Sequence, residues 1–187
     1  MRFLPTLAIS TIVLGLGLGP FPGIGRLGAE ELGAGPLLEA PLRDLDDHPV
    51  RLKSLLEKEG TVLVVLHQDR TSSDQSPEFK AQLGKLTESP TGRQHLRLVA
   101  LADVGGYDFW PARRYVKDAL RPVRDEGGAL VLADWQGTVR KRYRIAPGQS
   151  VIFVVSPSGE LRSLKRGMLG KDDAAQVLQL IAGLLAS

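Results

Sequence analysis

Four short apolar runs constrain this 187-residue chain more than any other feature: TVLVVL at 61–66, LRLVALA at 96–102, ALVL at 129–132 and VIFVV at 151–155. Each is shorter than an ordinary helix. The runs at 61–66 and 151–155 are rich in Val and lack polar alternation, which reads as central strands covered on both faces. Helical patterns separate the runs. Phe79, Leu83 and Leu86 recur at spacings of four and three after Ser76 and Pro77, which read as a cap and a first helical position. Residues 109–123 form a second helical pattern, with Tyr115, Val116, Leu120 and Val123 as its apolar side. Strand–helix alternation of this kind predicts a partly parallel sheet with helices on both faces.

The flanking segments complete the order. Residues 42–52 read as strand, polar turn at 46–49 and strand, and residues 53–59 as a short helix closed by Gly60. Residues 67–75 read as a polar loop, 134–137 as a turn and 138–143 as a short basic helix. Residues 156–159 make a hairpin turn that returns an edge strand at 160–165, so the sheet is mixed. A closing helix spans 171–185. Ala175, Leu178, Ile181 and Leu185 share its apolar face, and Asp172 and Asp173 sit at the positive end of its dipole. The expected fold class is α/β, three layers α/β/α around a central mixed sheet, with a C-terminal helix.

The N-terminus stands apart. Residues 1–29 carry Arg2, an apolar run from Leu7 to Leu18, and then a Gly- and Pro-rich end. That pattern reads as a secretory signal peptide, or, if uncleaved, as an N-terminal anchor. Gly23, Gly25 and Gly28 spell G-x-G-x-x-G, but prolines rather than a strand precede it, so no dinucleotide site is expected. Residues 30–41 read as an extended lead-in and 42–187 as the domain. Arg2 and Arg26 are the only charges before Glu30, so the remaining chain holds 22 basic and 21 acidic residues. A near-neutral chain has no global electrostatic drive toward nucleic acid, and membrane contact is expected only through an uncleaved leader. An exported address, periplasm or cell envelope, follows from the leader.

The chain contains no cysteine and three histidines. The first count removes thiolate nucleophiles, disulfides, CxxC redox chemistry and cysteine-bound metal. The strongest candidate site is the polar loop His67, Asp69, Arg70, Thr71, Ser72, Ser73 and Asp74, because it joins the carboxyl end of a central strand to a helix start. The plainer reading is that its hydroxyls and carboxylates only satisfy the turn. His67, Asp69 and Ser72 or Ser73 have the residue types of a hydrolase triad, without a G-x-S-x-G elbow. Asp69, Asp74, Asp103 and Asp108 fall at one sheet edge but lack a D-x-D-x-D-G loop, so no metal and no cofactor is expected. Two basic clusters, Arg113, Arg114 and Lys117 and then Arg140, Lys141, Arg142 and Arg144, read as solvated faces. Trp110 and Trp135 read as packing residues at strand ends, and His48 and His95 as surface residues.

The order of motifs resembles a family. LRDLDDHPVRL resembles the D-x-D-G-x-x-V-x-L opening of extracytoplasmic redoxin and TlpA-like thioredoxins. VLVVLHQDRTSSDQSPEF resembles their strand, active-site loop and helix, and the stretch from Val131 to Leu169 resembles the rest. His67 with Arg70, Thr71 and Ser72, Asp134 with Gly137, and Gly167, Met168 and Leu169 resemble the motifs of the YtfJ-type exported thioredoxin-like proteins of bacteria. The resemblance covers most of the chain after the leader. It places the CxxC of redox-active members on Thr71, Ser72, Ser73 and Asp74, and their cis-proline on Ser150. Both halves of the thiol site are therefore absent. What it implies is an exported thioredoxin-fold protein without thiol redox activity and with no catalytic residue assigned, binding an envelope protein or small ligand through the inherited groove of residues 67–74, Asp103 and Ser150. The alternatives are an enzyme using the groove's Ser and Asp groups, or an indirect role in redox homeostasis.

Overall fold

The computed structural model describes residues 33–127 and 129–187; the leader expected over 1–29 lies outside them. In chain order the elements are α1 (Gly35–Leu38), β1 (Leu42–Arg43), β2 (Pro49–Val50), a 3-10 turn (Leu52–Leu56), β3 (Val62–Gln68), α2 (Pro77–Glu88) and α3 (Pro90–His95). There follow β4 (Leu96–Asp103), α4 (Ala112–Gly127), β5 (Leu130–Asp134), α5 (Thr138–Tyr143), β6 (Val151–Val155), β7 (Leu161–Arg166) and α6 (Lys171–Leu185). Seven strands form one mixed sheet in the order β2-β1-β5-β4-β3-β6-β7. β3, β4 and β5 run parallel, and β6 lies antiparallel to β3. The carboxyl ends of the parallel strands thus open on one rim of the sheet.

The strand period of two sorts the core into two layers. Leu63 and Val65 of β3, Val99 and Leu101 of β4 and Leu132 of β5 face one side, against α1, the 3-10 turn and α5. Val62, Val64 and Leu66 face the other, against α2 and α6, where Phe79, Leu83, Val177 and Ile181 are buried. This is the three-layer arrangement read from the strand–helix alternation. A smaller cluster of Val104, Ala133 and Trp135 lies under α4.

Several local readings are corrected. The lead-in is not extended: Pro36 opens the turn of α1, and Ala34, Leu37, Leu38 and Ala40 are buried in the core. β3 continues through His67 and Gln68, two residues past the apolar run and into the expected loop. α3 was not foreseen. Ser89 ends α2 and caps α3, its Oγ accepting from the Gly92 amide at 3.0 Å. A Cβ at Gly92 would stand 2.0 Å from the carbonyl oxygen of Leu86, so only glycine lets the two helices meet so closely. α4 starts at Ala112 rather than at residue 109, since Pro111 biases the residue before it out of helical geometry. Its expected apolar side is divided: Val116 and Leu120 are half-buried, whereas Tyr115 and Val123 are exposed. Along α6 the buried stripe runs through Ala174, Val177, Leu178 and Ile181 rather than through Ala175.

Tyr143 joins the first described residues to the core. Its hydroxyl donates to the Gly33 carbonyl at 2.9 Å and accepts from the Leu37 amide at 3.1 Å, and its ring meets Phe153 edge-on with centroids 4.9 Å apart. Burial pushes this phenol up to about 12, so it stays protonated and able to donate. Tyr143→Phe leaves two backbone groups without their partner, and a loss of about 1–3 kcal/mol in denaturant unfolding is expected.

Candidate functional site

The rim is built by the alternation that builds the core. Along one face of β3 the sequence Leu63, Val65 ends in His67; along β4, Val99, Leu101 ends in Asp103; along β5, Leu132 ends in Asp134. Each apolar column ends in a polar side chain: Asp103 and Asp134 at one level, and His67 one step lower, opposite Leu101. Asp103 and Asp134 stand directly opposite each other in the β4–β5 register. Asp134 is fully buried and accepts from the amides of Thr138 and Val139 at 2.9 and 2.8 Å, so it caps the start of α5. Arg140, one turn on, brings its Nε 3.3 Å from Asp103 Oδ2.

His67 is 1% exposed, and neither ring nitrogen has a hydrogen-bond partner among the described residues. Its Nε2 stands 4.0 Å from Asp103 Oδ2, beyond hydrogen-bond length. Burial pushes the imidazole down to about 4, against the pull of Asp134 and Asp69 and with the help of Arg140, so it is neutral near pH 7. Burial raises the Asp103 carboxyl above its usual range, while the Gly105 amide and Arg140 oppose that shift. Among the described residues no three His, Asp or Glu side chains converge as metal ligands.

The loop after β3 is closed by its own side chains. Asp69 Oδ1 accepts from the Ser72 amide and hydroxyl, both at 2.8 Å, and from the Thr71 hydroxyl at 2.9 Å. Asp69 Oδ2 accepts from the Gly148 amide at 2.6 Å. Burial works against this charge, but the Gly148 amide and the Ser72 and Thr71 donors win and hold the carboxyl at about 2. Gln75 completes the closure. Its Oε1 accepts from the Ser150 amide at 3.2 Å and hydroxyl at 2.7 Å, and its Nε2 donates to the Gly148 carbonyl at 2.9 Å. Ser76 is not a side-chain cap of α2; its Oγ accepts from the Leu169 amide at 2.8 Å.

The structure therefore joins Asp69, Thr71, Ser72 and Ser150 in one network and sets His67 beside Asp103. Arg70, Ser73 and Asp74 point outward and are exposed. No hydrogen bond links His67 to Ser72 or Ser73; the Ser72 hydroxyl is engaged by Asp69 instead. Sequence reasoning passed over Gln75 and Gly148 as ordinary loop residues and read Arg140 as solvated. The signal for the rim cluster was present, in the period of two that extends the apolar columns to His67, Asp103 and Asp134. The aromatic residues divide: Trp135 and Tyr143 are core, whereas Trp110 and Tyr115 are exposed. The Arg113 guanidinium covers the Trp135 ring at 4.7 Å and pairs with Asp47 at 2.6 Å and Asp108 at 2.8 Å.

Two outcomes are expected. His67 titrates at its ordinary 6.5 when unfolded and at about 4 when folded, so protons bind the unfolded chain first. Its contribution is complete above pH 6.5 and is lost as pH falls toward 4, by at most on the order of 3 kcal/mol. Asp103 acts in the opposite sense, its buried charge costing stability as pH rises above 3.8. Urea unfolding of wild type and His67→Leu across that range isolates the histidine: the acid-side loss should vanish in the variant. Gln75→Ala removes three hydrogen bonds between the two loops, and a loss of about 2–4 kcal/mol is expected by the same method.

No family model matches the chain, and no curated protein matches it. Solved structures do. A thiol-disulfide isomerase from Corynebacterium glutamicum superposes with a TM-score of 0.56 at 14% identity, over 80% of this chain and 96% of that one. The pneumococcal exposed lipoprotein thioredoxin Etrx1 from Streptococcus pneumoniae strain TIGR4 superposes at 0.53 with 16% identity, over 74% and 96% of the two chains. A thiol-disulfide oxidoreductase from Bacteroides fragilis superposes at 0.51 with 16% identity, over 74% and 94%. At such identities the likeness is one of architecture: the chain has a thioredoxin-like α/β fold, built without a cysteine.

Proposed function

We propose that this chain is an exported thioredoxin-fold protein, of the YtfJ type, that has no thiol redox activity and works as a binding module of the cell envelope. The observation that carries the reading is the closed loop pair. In the register of the resemblance, Thr71 to Asp74 stand where a CxxC would, and Ser150 stands where the cis-proline would. Here those positions hold hydroxyls and a carboxylate, and the amide of Ser150 is taken by Gln75. An alcohol cannot take the role of a thiolate near neutral pH without an assisting base. The imidazole of His67 makes no such contact with Ser72 or Ser73. The leader supports an exported address, and Arg70 and Asp74 are exposed charged side chains of the loop that can meet an envelope protein or small ligand.

Two measurements test this. Disulfide reduction and peroxide turnover by the purified protein should not exceed a buffer blank; turnover above it overturns the reading. A partner crosslinked to the tagged protein in its own envelope fraction should be lost on Arg70→Glu with Asp74→Lys, two exposed changes that leave the Asp69 network intact. Retention of the partner by that double variant moves the binding surface away from this loop.

A further inference from the structure

Four aromatic side chains stand outside the fold within nine residues. Tyr107 is 53% exposed, Phe109 57%, Trp110 86% and Tyr115 70%. Aromatic rings are among the costliest groups to leave in water. Scattered exposed apolar residues need no explanation, but a contiguous set of large ones marks an interaction surface. The segment is also held in place. The Tyr107 amide donates to the Val104 carbonyl at 3.0 Å, that of Phe109 to Tyr107 at 2.9 Å and that of Arg113 to Phe109 at 2.9 Å. Arg113 is pinned by Asp47, Asp108 and the Trp135 ring. Gly105 packs against Gly137, where a Cβ would lie 3.1 Å from its Cα. The rings are presented by a fixed support.

Their chemistry and charge point to one occupant. Three of the four rings carry a polar tip on an apolar body, the composition of side chains that settle at a membrane–water interface. The adjoining cleft is bounded by Asp108, Arg113, Trp135 and Gln136 and takes in none of the four rings. A bilayer surface accepts a protruding ring without a matching shape. The neighbouring acids Asp47, Asp108 and Asp118 are each paired. Arg114 is 81% exposed with a single contact at 3.9 Å. Lys141, whose Nζ sits on the Gln136 carbonyl at 2.8 Å, makes no ion pair among the described residues. Arg114 and Lys141 thus offer exposed positive charge on this side of the rim, which suits anionic headgroups.

We propose that residues 107–115 form an interfacial membrane-docking surface, in which Tyr107, Phe109, Trp110 and Tyr115 enter the headgroup layer of an anionic bilayer and Arg114 and Lys141 pair with its phosphates. This goes beyond the sequence expectation that only the leader meets a membrane. It shares the envelope address with the proposed function but requires no protein partner.

The chain carries its own reporter. Its two tryptophans are Trp110 and the buried Trp135, and the leader has none. The full chain is titrated with vesicles of phosphatidylcholine and phosphatidylglycerol, plain or with brominated acyl chains. Emission should shift to the blue and be quenched by the brominated lipid. Trp110→Phe should abolish the quenching while far-UV circular dichroism is unchanged. Arg114→Glu with Lys141→Glu should weaken binding by about tenfold or more, and added salt should do the same. Co-sedimentation with vesicles without quenching of Trp110 assigns the contact to the leader and overturns the proposal. A blue shift that grows with protein concentration in the absence of lipid assigns the surface to a second copy and also overturns it, as does the absence of any shift. Because the vesicles contain no protein, failure here leaves the crosslinking test of the binding module standing.

Discussion

Asp69 and Gln75 tie the loop that leaves the central strand to the loop that enters its antiparallel neighbour. Everything at the rim depends on that tie. β3 and β6 are already paired through five residues, but sheet pairing ends at His67 and Val151. Beyond it, backbone amides and carbonyls must find other partners or stay dry and unpaired. The carboxylate of Asp69 supplies one to Gly148, and the amide group of Gln75 supplies both a donor and an acceptor to Gly148 and Ser150. The sheet is thereby extended by side chains.

That closure takes the middle of the loop pair out of solvent. Here the central hydroxyl, Ser72, is fully buried, and the facing amide is occupied. The short polar groups of the two loops thus hold each other in place through Asp69 and Gln75. The buried His67 and the Asp103–Arg140 pair beneath them are a separate matter: they sit on the core side of the rim and bear on pH-dependent stability rather than on access from solvent.

Most of the fold was legible in the sequence. The bounds of α5 and α6 and the strand 151–155 follow from the local pattern, because a Val-rich run between turn residues and an apolar stripe at helical spacing each have few alternatives. What was not legible was set by tertiary contact. α1 looks like linker because Gly35 and Pro36 dominate its pattern, yet Leu37 and Leu38 are buried once Tyr143 takes its backbone. α3 is only six residues long, and its glycine is demanded by a carbonyl on another helix. At the candidate site the residue types were visible and the partners were not. Nothing local to Gln75 announces a bond to a loop more than seventy residues away, and nothing local to Trp110 and Trp135 separates the ring in solvent from the ring in the core.

The mode of attachment of α4 carries a last consequence. Little apolar surface holds this helix to the sheet; Val116 rests on a small cluster, while Arg113, Lys117 and Arg124 reach across to Asp47 and Asp46 in the β1–β2 turn. Coulombic anchors weaken with ionic strength, whereas the packed layers on either side of β3 do not. The molecule thus has two tiers of cohesion: an inner body indifferent to electrolytes, and an outer cylinder whose hold loosens in brine and tightens in dilute buffer.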